Sequence, residues 1–247
     1  MDYNTFKTAS KCLASLGLLC CNAQAASVLL NGNFEAFSII SAGYNSAYNV
    51  LTNPNGYIDN FVDPGGVVRI YPQTVADMGW QTTAPEANKP IELWESGAYG
   101  KISSSGLGQF AELNAYTPAA LFQDVTISTV GLVDYSFQHK GRNGSEELKV
   151  LITYLGADGI LGGIDDEVKV DQNFTTGNTA WSTNSGNDVF ESVAGGVYRF
   201  SFGAVTPLAA QGNFLDNVTF GVNAIPEPSA ALLGAFGMLA LLRRRRA

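Results

Sequence analysis

Short runs in which apolar and polar residues alternate follow one another along most of the chain. In the run Leu132–His139, Tyr135 and Phe137 fall on one side of an extended chain, and Ser136 and Gln138 fall on the other. Such alternation predicts a β-strand with one face in a core and the other in water, as is typical of antiparallel sheets. No segment between residues 26 and 223 keeps an apolar period of 3.6 residues for three turns, so we expect little helix.

The same pattern predicts a series of strands separated by turns rich in glycine and asparagine. They are Ser27–Leu30, Val67–Tyr71, Gly79–Gln81, Ile91–Trp94, Gln109–Asn114, Leu121–Ile127, Leu132–His139, Leu148–Leu155, Glu167–Gln172, Asp188–Val193, Tyr198–Phe202 and Phe214–Val222. The segment 41–66, with turn sequences such as Asn53–Gly56, is predicted to be an irregular surface excursion. Because the chain has 27 glycines and no internal repeat, we predict one all-β sandwich domain.

The N-terminus has the order of charges and apolar residues of a secretory signal. Lys7 and Lys11 precede the apolar stretch Cys12–Cys21, and the segment 23–25 (Ala-Gln-Ala) places small residues where a signal peptidase cleaves. We expect a signal helix within residues 1–25, removed after Ala25 or Ala26. All three cysteines lie within it, so we expect the mature protein to have no disulfide.

The C-terminus carries a second targeting pattern. It consists of Pro226, Glu227 and Pro228, the apolar run Ala230–Leu242, and the arginines Arg243, Arg244, Arg245 and Arg246. An apolar run that stops at arginines is typical of a short transmembrane helix whose charged end stays inside the cell, so everything upstream is expected outside. The run is shorter than the roughly 20 residues of a comfortable span, which leaves a soluble helix as the alternative on length alone.

This tail resembles the PEP-CTERM sorting signal of Gram-negative bacteria. The resemblance implies processing by an exosortase, with signal peptidase acting at the other end. It also implies transient anchoring in the inner membrane, with the ectodomain in the periplasm, and delivery to the cell surface or extracellular matrix. The expected domains are a signal peptide (1–25), an ectodomain (26–223) and the sorting signal (224–247). The signal gives a destination and says nothing about a ligand.

The charge of the chain disfavours one class of partner. Removal of both ends takes away six basic and two acidic residues, which changes the formal net charge from −8 to −12. Such a charge repels phosphate backbones and favours divalent cations. We therefore expect no nucleic-acid binding.

Several blocks of sequence carry a second resemblance. They include Asn31–Glu35, Ile91–Trp94, Gly108–Asn114, Phe137–Arg142 and Gly212–Val218. In this order they resemble the galactose-binding-like jelly rolls of bacterial surface proteins and carbohydrate-binding modules. The resemblance implies a two-sheet antiparallel jelly-roll sandwich whose first and last strands lie together, but it implies no particular ligand. Together with the surface address it favours binding to a polysaccharide, such as the cell's own exopolysaccharide.

In that family a structural calcium often lies where the two terminal strands meet. The resemblance implies Glu35 and Asp216 as carboxylate ligands, with Asn33 or Asn31 adding an oxygen, for a cation that takes about six to eight oxygens. The alternative is that Glu35 is a strand-end charge and Asp216 caps a turn. A further acidic cluster in residues 158–167 lacks the ligand spacing of an EF-hand and predicts a solvated hairpin tip rather than a second calcium site.

Five side chains are candidates for ligand binding, namely Trp94, Glu112, Asn114, His139 and Arg142. If their strands are neighbours, the carboxylate and the guanidinium can hold sugar hydroxyls while the indole stacks on a sugar ring. The alternative is a buried ion pair between Glu112 and Arg142 that fixes the sheet. Of the other tryptophans, Trp80 is predicted to lie in the core and Trp181 in an exposed loop.

Signatures of catalysis are missing from the sequence. It has no Gly-x-Ser-x-Gly or His-Glu-x-x-His motif, and a single histidine cannot build most metal sites. Glu92 and Glu95 face opposite ways on a strand, and the sequence alone identifies no cross-strand partner for a pair of catalytic carboxylates. We therefore predict a non-catalytic protein. Carbohydrate binding is the leading hypothesis, a self-associating structural surface protein is the alternative, and a polysaccharide-active enzyme comes third.

Overall fold

The computed structural model describes residues 27–36, 61–63, 65–70, 78–84, 91–115 and 117–225, with the backbone alone at 61–63 and 68–70. Within these ranges the chain forms twelve strands and one 3-10 turn, Ala98–Gly100. The strands are β1 (Phe61–Asp63), β2 (Val67–Ile70), β3 (Gln81–Thr82), β4 (Ile91–Glu95), β5 (Gln109–Glu112), β6 (Ala120–Ile127), β7 (Gly131–Lys140), β8 (Glu146–Tyr154), β9 (Glu167–Thr176), β10 (Ser182–Gly186), β11 (Gly196–Thr206) and β12 (Phe214–Ala224).

The strands form two antiparallel sheets that pack face to face, which confirms the predicted jelly-roll sandwich. One sheet has the order β1-β2-β4-β5-β12-β7-β10 and the other the order β3-β6-β11-β8-β9. In β7 the residues from Gly131 to His139 are buried at every second position and partly exposed in between, as the alternation predicts. Because β12 lies between β5 and β7, it joins the two parts of the larger sheet that carry the site described below.

The core lies between the two sheets and draws aromatic side chains from both. Phe137 of β7 meets Phe202 of β11 edge to face, with 5.2 Å between ring centroids. Trp80 is buried, as predicted, and stacks on Phe34 at 5.4 Å. Burial of each ring stabilises the fold by about 2 kcal/mol.

The first described segment lies against the last strand, in agreement with the expected meeting of the termini. The backbone N–H of Val28 donates to the carbonyl of Phe220, and that of Val218 donates to the carbonyl of Gly32, each at 2.8 Å. The segment Ser27–Leu30 is nevertheless not a strand, which corrects the prediction. Only isolated backbone bonds, rather than a continuous ladder, join it to β12.

Three further strand predictions need correction. The segment Asp188–Val193 runs beside β7 without forming a strand, because Asp188 has a φ of +50° and breaks the extended backbone. The reverse error occurs at β10, which was predicted to be loop but pairs with β7. Its sequence, Ser-Thr-Asn-Ser-Gly, contains no apolar residue that could reveal an alternation. The strand β1 likewise falls within the predicted irregular excursion.

The predicted signal helix, the cysteines within it and the sorting signal at 226–247 lie outside the described residues. In the described ranges, no helix is both long and apolar enough to cross a membrane.

Candidate functional site

The outer face of the seven-stranded sheet, which points away from the core, has two halves of opposite character. The closed half is aromatic and acidic and is made by Glu92, Trp94, Phe110, Glu112 and Phe214. The open half is polar and at least partly exposed and is made by Asp134, Ser136, Gln138, Thr183, Ser185, Thr219 and Asn223. The two halves meet at β12, which contributes to both.

The closed half is covered by the loop Ser96–Gly108, which connects β4 to β5. Tyr99 of this loop places its ring edge-on to Trp94, with 5.9 Å between centroids. Ser104 donates to one carboxylate oxygen of Asp216 twice, from its backbone N–H at 3.1 Å and from its hydroxyl at 2.6 Å. These contacts hold the loop over the sheet, so the strands beneath it are buried on both faces.

Four aromatic rings interlock beneath the loop. Phe214 lies 5.2 Å from Trp94 and 4.9 Å from Phe110, measured between ring centroids. Trp181 closes the cluster against Phe110 at 5.6 Å, and its indole N–H donates to the carbonyl of Ile102 at 2.8 Å. Trp181 is therefore half-buried rather than exposed in a loop, which corrects the prediction.

Two buried carboxylates lie directly across from each other in the closed half. Glu92 of β4 and Glu112 of β5 are partners in the strand register, and only 3% and 1% of their surfaces are exposed. The indole N–H of Trp94 lies 3.1 Å from a carboxylate oxygen of each. Glu112 is thus the cross-strand partner of Glu92 that the sequence alone could not identify.

Arg142 neutralises one of these carboxylates. Its Nη1 donates to both oxygens of Glu112, at 2.7 and 2.9 Å, and its guanidinium lies 4.6 Å from the centre of the Trp94 ring. The backbone N–H of Gly212 donates to the same carboxylate at 2.7 Å. Burial raises the pKa of Glu112 to about 8, the negative Glu92 adds to this, and Arg142 and Gly212 oppose it.

Three of the five predicted ligand-binding residues therefore meet, but as a stabilising cluster. Trp94 is only 2% exposed and is enclosed by Phe214, Tyr99 and Arg142, so neither ring face is available to a sugar. The buried ion pair between Glu112 and Arg142, the alternative stated for these residues, is the arrangement that the structure has.

The other two predicted ligand-binding residues lie apart from this cluster. His139 belongs to the opposite face of the sheet and points into the core, where its Nε2 lies 2.8 Å from the Asn213 Oδ1. Burial lowers the pKa of His139, against the effects of Asn213 and of the Glu146 charge. Asn114 holds a loop by donating to the carbonyls of Pro207 and Ala209 at 2.9 and 3.1 Å.

The residues predicted to hold calcium are close together where the chain's two described ends meet. Glu35 accepts the backbone N–H of Gln109 at 2.6 Å, and Asn33 accepts that of Glu35 at 3.4 Å. Burial raises the pKa of Asp216, and the charge of Glu35 raises it further. Across the described ranges no three acidic, histidine or cysteine side chains gather around one point, so only two carboxylates could serve a cation here.

The acidic segment between β8 and β9 is a hairpin tip, as predicted. Asp158, Asp165 and Asp166 each accept a backbone N–H of the same turn, at 2.7–2.9 Å. Their carboxylates shape the turn instead of converging on a common centre.

The open half contains a polar cleft of about 170 Å³ between β7, β10 and β12. The hydroxyls of Ser136 and Thr219 lie 2.8 Å apart across the two strands. Asp134 accepts the side-chain amide of Asn223 at 2.5 Å and the backbone N–H of Asp188 at 2.6 Å. The alternation in β7 had identified this face only as a wet one, because small polar residues are also what an ordinary solvated strand presents.

The chain matches no protein-family model, and no curated protein matches it. Solved structures similar to it include a family 61 carbohydrate-binding module in complex with β-1,4-galactotriose, at 12% identity, which covers 58% of this chain and 88% of that one with a TM-score of 0.38. A family 22 xylan-binding domain from Paenibacillus barcinonensis is also 12% identical, covering 60% and 88%, with a TM-score of 0.42. An arabinose-bound GH51 α-L-arabinofuranosidase is 9% identical, covering 81% of this chain and 27% of that one, with a TM-score of 0.46. These values are too low to indicate a shared ligand, so the function is argued from the side chains of this sandwich.

Proposed function

We propose that this protein is an exported, non-catalytic β-sandwich that binds polysaccharide on the open half of its seven-stranded sheet. The observation that carries the proposal is the cleft there, which is lined by hydroxyl, amide and carboxylate groups. Sugars present hydroxyls that both donate and accept hydrogen bonds, and these side chains do the same. Antiparallel pairing of β7 with β12 and β10 holds them, with one register shift in β12 between Asp216 and Thr219, so the groups are in place before a ligand arrives.

The shape of the open half suits an extended chain. Asp134, Ser136 and Gln138 follow one another on the outer side of β7, and Lys140 ends the row. At about 3.4 Å per residue, the row is about 20 Å long. Thr219 and Asn223 of β12 line the same face, which makes it a strip rather than a single pocket.

The absence of catalysis is supported by the burial of the paired carboxylates. Glycosidases place two carboxyl groups on either side of the bond that they cleave. Glu92 and Glu112 form such a pair in the register, but both lie beneath the loop Ser96–Gly108, and Arg142 and the Trp94 indole occupy their oxygens. Release of reducing sugar from a polysaccharide panel would contradict this part of the proposal.

Export and sorting are proposed from the two ends of the sequence. Residues 1–25 direct the chain to signal peptidase, and residues 224–247 direct it to an exosortase, the cell surface or the extracellular matrix. The test is the mass of the protein recovered from the producing cell's surface fraction. A mass that still includes Arg243–Arg246 would contradict exosortase processing.

A structural calcium ion is proposed at Glu35 and Asp216, with Asn33 as a third ligand. The nearness of two carboxylates supports it, since burial and then the charge of Glu35 raise the pKa of Asp216, and a cation would relieve the repulsion between the two carboxylates. Calcium would join the first described segment to β12 and take no part in contact with sugar.

The test of polysaccharide binding compares two isosteric substitutions on opposite sheets. Thr219→Val removes a hydroxyl from the open half, whereas Thr126→Val removes an equally exposed hydroxyl from the smaller sheet. Loss of one hydrogen bond of about 1 kcal/mol weakens binding about fivefold, as measured by affinity electrophoresis or calorimetry with polysaccharides that the wild type retains. Equal affinity of both variants would contradict the placement of the site, and no retained polymer would contradict the function.

A second candidate function, self-association into a surface layer, is favoured by the edge strand β9. Within the part of the chain that the structure describes, β9 bonds to β8 on one side only, and Val168 on this strand is 58% exposed. An open strand edge is a template for pairing with another chain. Concentration-dependent oligomers in sedimentation velocity that dissociate on Val168→Lys, with no glycan bound, would favour this candidate instead.

A further inference from the structure

We infer that the polysaccharide is acidic and that Lys101 and Lys140, beside the open half, bind its carboxylate or sulfate groups. This inference rests on the proposed function and assigns a chemical class to its ligand. It depends on where the two lysines lie, on the absence of a counter-ion for either among the described carboxylates, and on the charge of the remaining molecule.

Lys140 continues the polar row of the open half. It is the last residue of β7, on the same side as Ser136 and Gln138, and it faces Phe214 across the register with β12. It is partly exposed, so its ammonium group can reach a ligand that lies along β7.

Lys101 approaches from the loop that covers the closed half. Its ammonium donates to the carbonyl of Arg142 at 2.8 Å, just beyond the end of β7. The positive charge of Lys101 is close enough to Lys140 to lower the pKa of the latter, in addition to the larger effect of burial. The two cations therefore share one region at the border of the two halves.

The pairing of the other basic side chains sets these two apart. Six lysine and arginine side chains lie in the described ranges, and four of them form ion pairs: Arg142 with Glu112, Lys149 with Asp171, Lys169 with Glu167, and Arg199 with Asp124, at 2.6–2.7 Å. Among the described carboxylates none pairs with Lys101 or Lys140. Two neighbouring cations without a counter-ion repel each other, and a bound anion removes that repulsion.

The surrounding charge makes this region an exception on the molecule. The chain has a formal net charge of −8, so polyanions are repelled in general. The nearest basic group, Arg142, already has Glu112 as its partner. An acidic polymer is therefore attracted only in the region of the two lysines. A polymer that carries acid groups at intervals suits this arrangement better than a uniformly charged polymer does.

The two ends of the polar row on β7 carry opposite charges. Asp134 places a carboxylate in the cleft at one end, and Lys140 with Lys101 places cations at the other, about 20 Å away. The Asp134 carboxylate repels an acidic sugar unit, so a neutral unit suits that end of the row. The acid group of a bound chain is thus directed to the lysines.

The test measures the affinity of the purified full chain for three polymers: a partly methyl-esterified polygalacturonate, which carries carboxylates at intervals, a partly sulfated galactan, and a neutral galactan. The variants are Lys101→Gln, Lys140→Gln, the double substitution, and Lys149→Gln as the matched control on the other sheet. We expect each single variant to weaken binding to an acidic polymer about tenfold and the double variant to weaken it further. Binding to a neutral polymer and the behaviour of Lys149→Gln should not change, and circular dichroism checks that each variant is folded.

The outcomes separate this inference from the function on which it rests. Selective loss of binding to the carboxylated or to the sulfated polymer supports the inference and identifies which acid group is bound. Unchanged affinity of the double variant for an acidic polymer, or binding of the neutral polymer alone, overturns the inference and leaves polysaccharide binding intact. No binding to any of the three polymers by the wild type overturns the inference, and a flat result across a broader panel overturns the proposed function as well.

Discussion

The closed and open halves share one sheet face but differ in what their polar groups contact. In the closed half, Glu112 accepts hydrogen bonds from Arg142, Gly212 and the Trp94 indole, and almost no surface remains for solvent. In the open half, the hydroxyls of Ser136 and Thr219 bond to each other yet stay within reach of a ligand. The comparison teaches that tryptophan, glutamate and arginine, which suggest a sugar site in the sequence, stabilise the fold here, whereas plain hydroxyls mark the accessible surface.

The largest effect that separates the halves is expected from Trp94→Ala. Removal of this buried indole leaves a cavity among Phe110, Phe214 and Arg142 and should lower the free energy of unfolding by about 4 kcal/mol. Trp181→Ala is the matched control, since its half-buried ring should cost about half as much. Urea unfolding measures both. Equal losses would mean that the loop does not enclose Trp94 as described.

The next largest effect is expected from removing the acceptor at the centre of the closed half. Glu112→Ala leaves the buried donors of Arg142, Trp94 and Gly212 without this acceptor and should lower the free energy of unfolding by about 3 kcal/mol. Glu112→Gln keeps an acceptor oxygen and resembles the protonated carboxyl, so at pH 7 it should cost less than about 1 kcal/mol. The ratio of the two losses in urea unfolding is the readout, and an equal loss for Glu112→Gln would contradict the protonated state of Glu112 at this pH.

The pH dependence of stability tests the same cluster. Because the pKa of Glu112 is raised to about 8 in the fold and lies near 4.5 otherwise, the folded chain holds a proton that the unfolded chain has lost between these values. Stability should therefore fall as pH rises from 6.5 to 8 and then level, and Glu112→Gln should abolish the change. The lowered pKa of His139 has the opposite effect on stability, and only below pH 6.5. There the unfolded chain binds a proton at His139 that the folded chain does not bind, so stability falls as pH falls. A flat profile between pH 6.5 and 8 in the wild type would contradict the burial of Glu112.

The smallest effect is expected from removal of calcium. If the ion binds at Glu35 and Asp216, a chelator should lower the Tm by about 2–4 °C, which corresponds to about 1 kcal/mol for a domain of this size. Glu35→Gln should remove the response to the chelator, and Asp158→Asn at the hairpin tip should keep it. An unchanged Tm of the wild type in excess chelator would show that the site holds no calcium.

The sequence predicts the parts of the fold that have a strong local pattern. The strand β7 alternates along its whole length, so its buried face could be predicted, and the predicted bounds Leu132–His139 are each one residue short of the observed ones. The strand β10 could not be predicted, because an edge strand made only of polar and small residues shows no alternation of apolar and polar positions. The meeting of Trp94, Glu112 and Arg142 was expected only on the condition that their strands are neighbours, which the sequence does not settle.

What could not be predicted is how the strands are ordered and aligned. Glu92 meets Glu112 only because the hairpin through the loop Ser96–Gly108 sets that register, and a shift by one residue would turn one carboxylate into the core. His139 was grouped with Glu112, but β12 lies between their strands and the two side chains point to opposite faces. The predicted strand ended at His139, so Lys140 was not placed on the polar side of β7, and its meeting with Lys101 depends on the folded loop.

The most direct test of the central claim compares one variant from each half in both binding and stability. The triple variant Ser136→Ala, Gln138→Leu, Thr219→Val changes only the open half, and Glu112→Ala changes only the closed half. With a polysaccharide that the wild type binds, the triple variant should lose at least about tenfold in affinity while its free energy of unfolding changes by less than about 1 kcal/mol. Glu112→Ala should show the reverse, reduced stability with unchanged affinity. Loss of affinity in Glu112→Ala with full binding by the triple variant would contradict the account and place the ligand in the closed half.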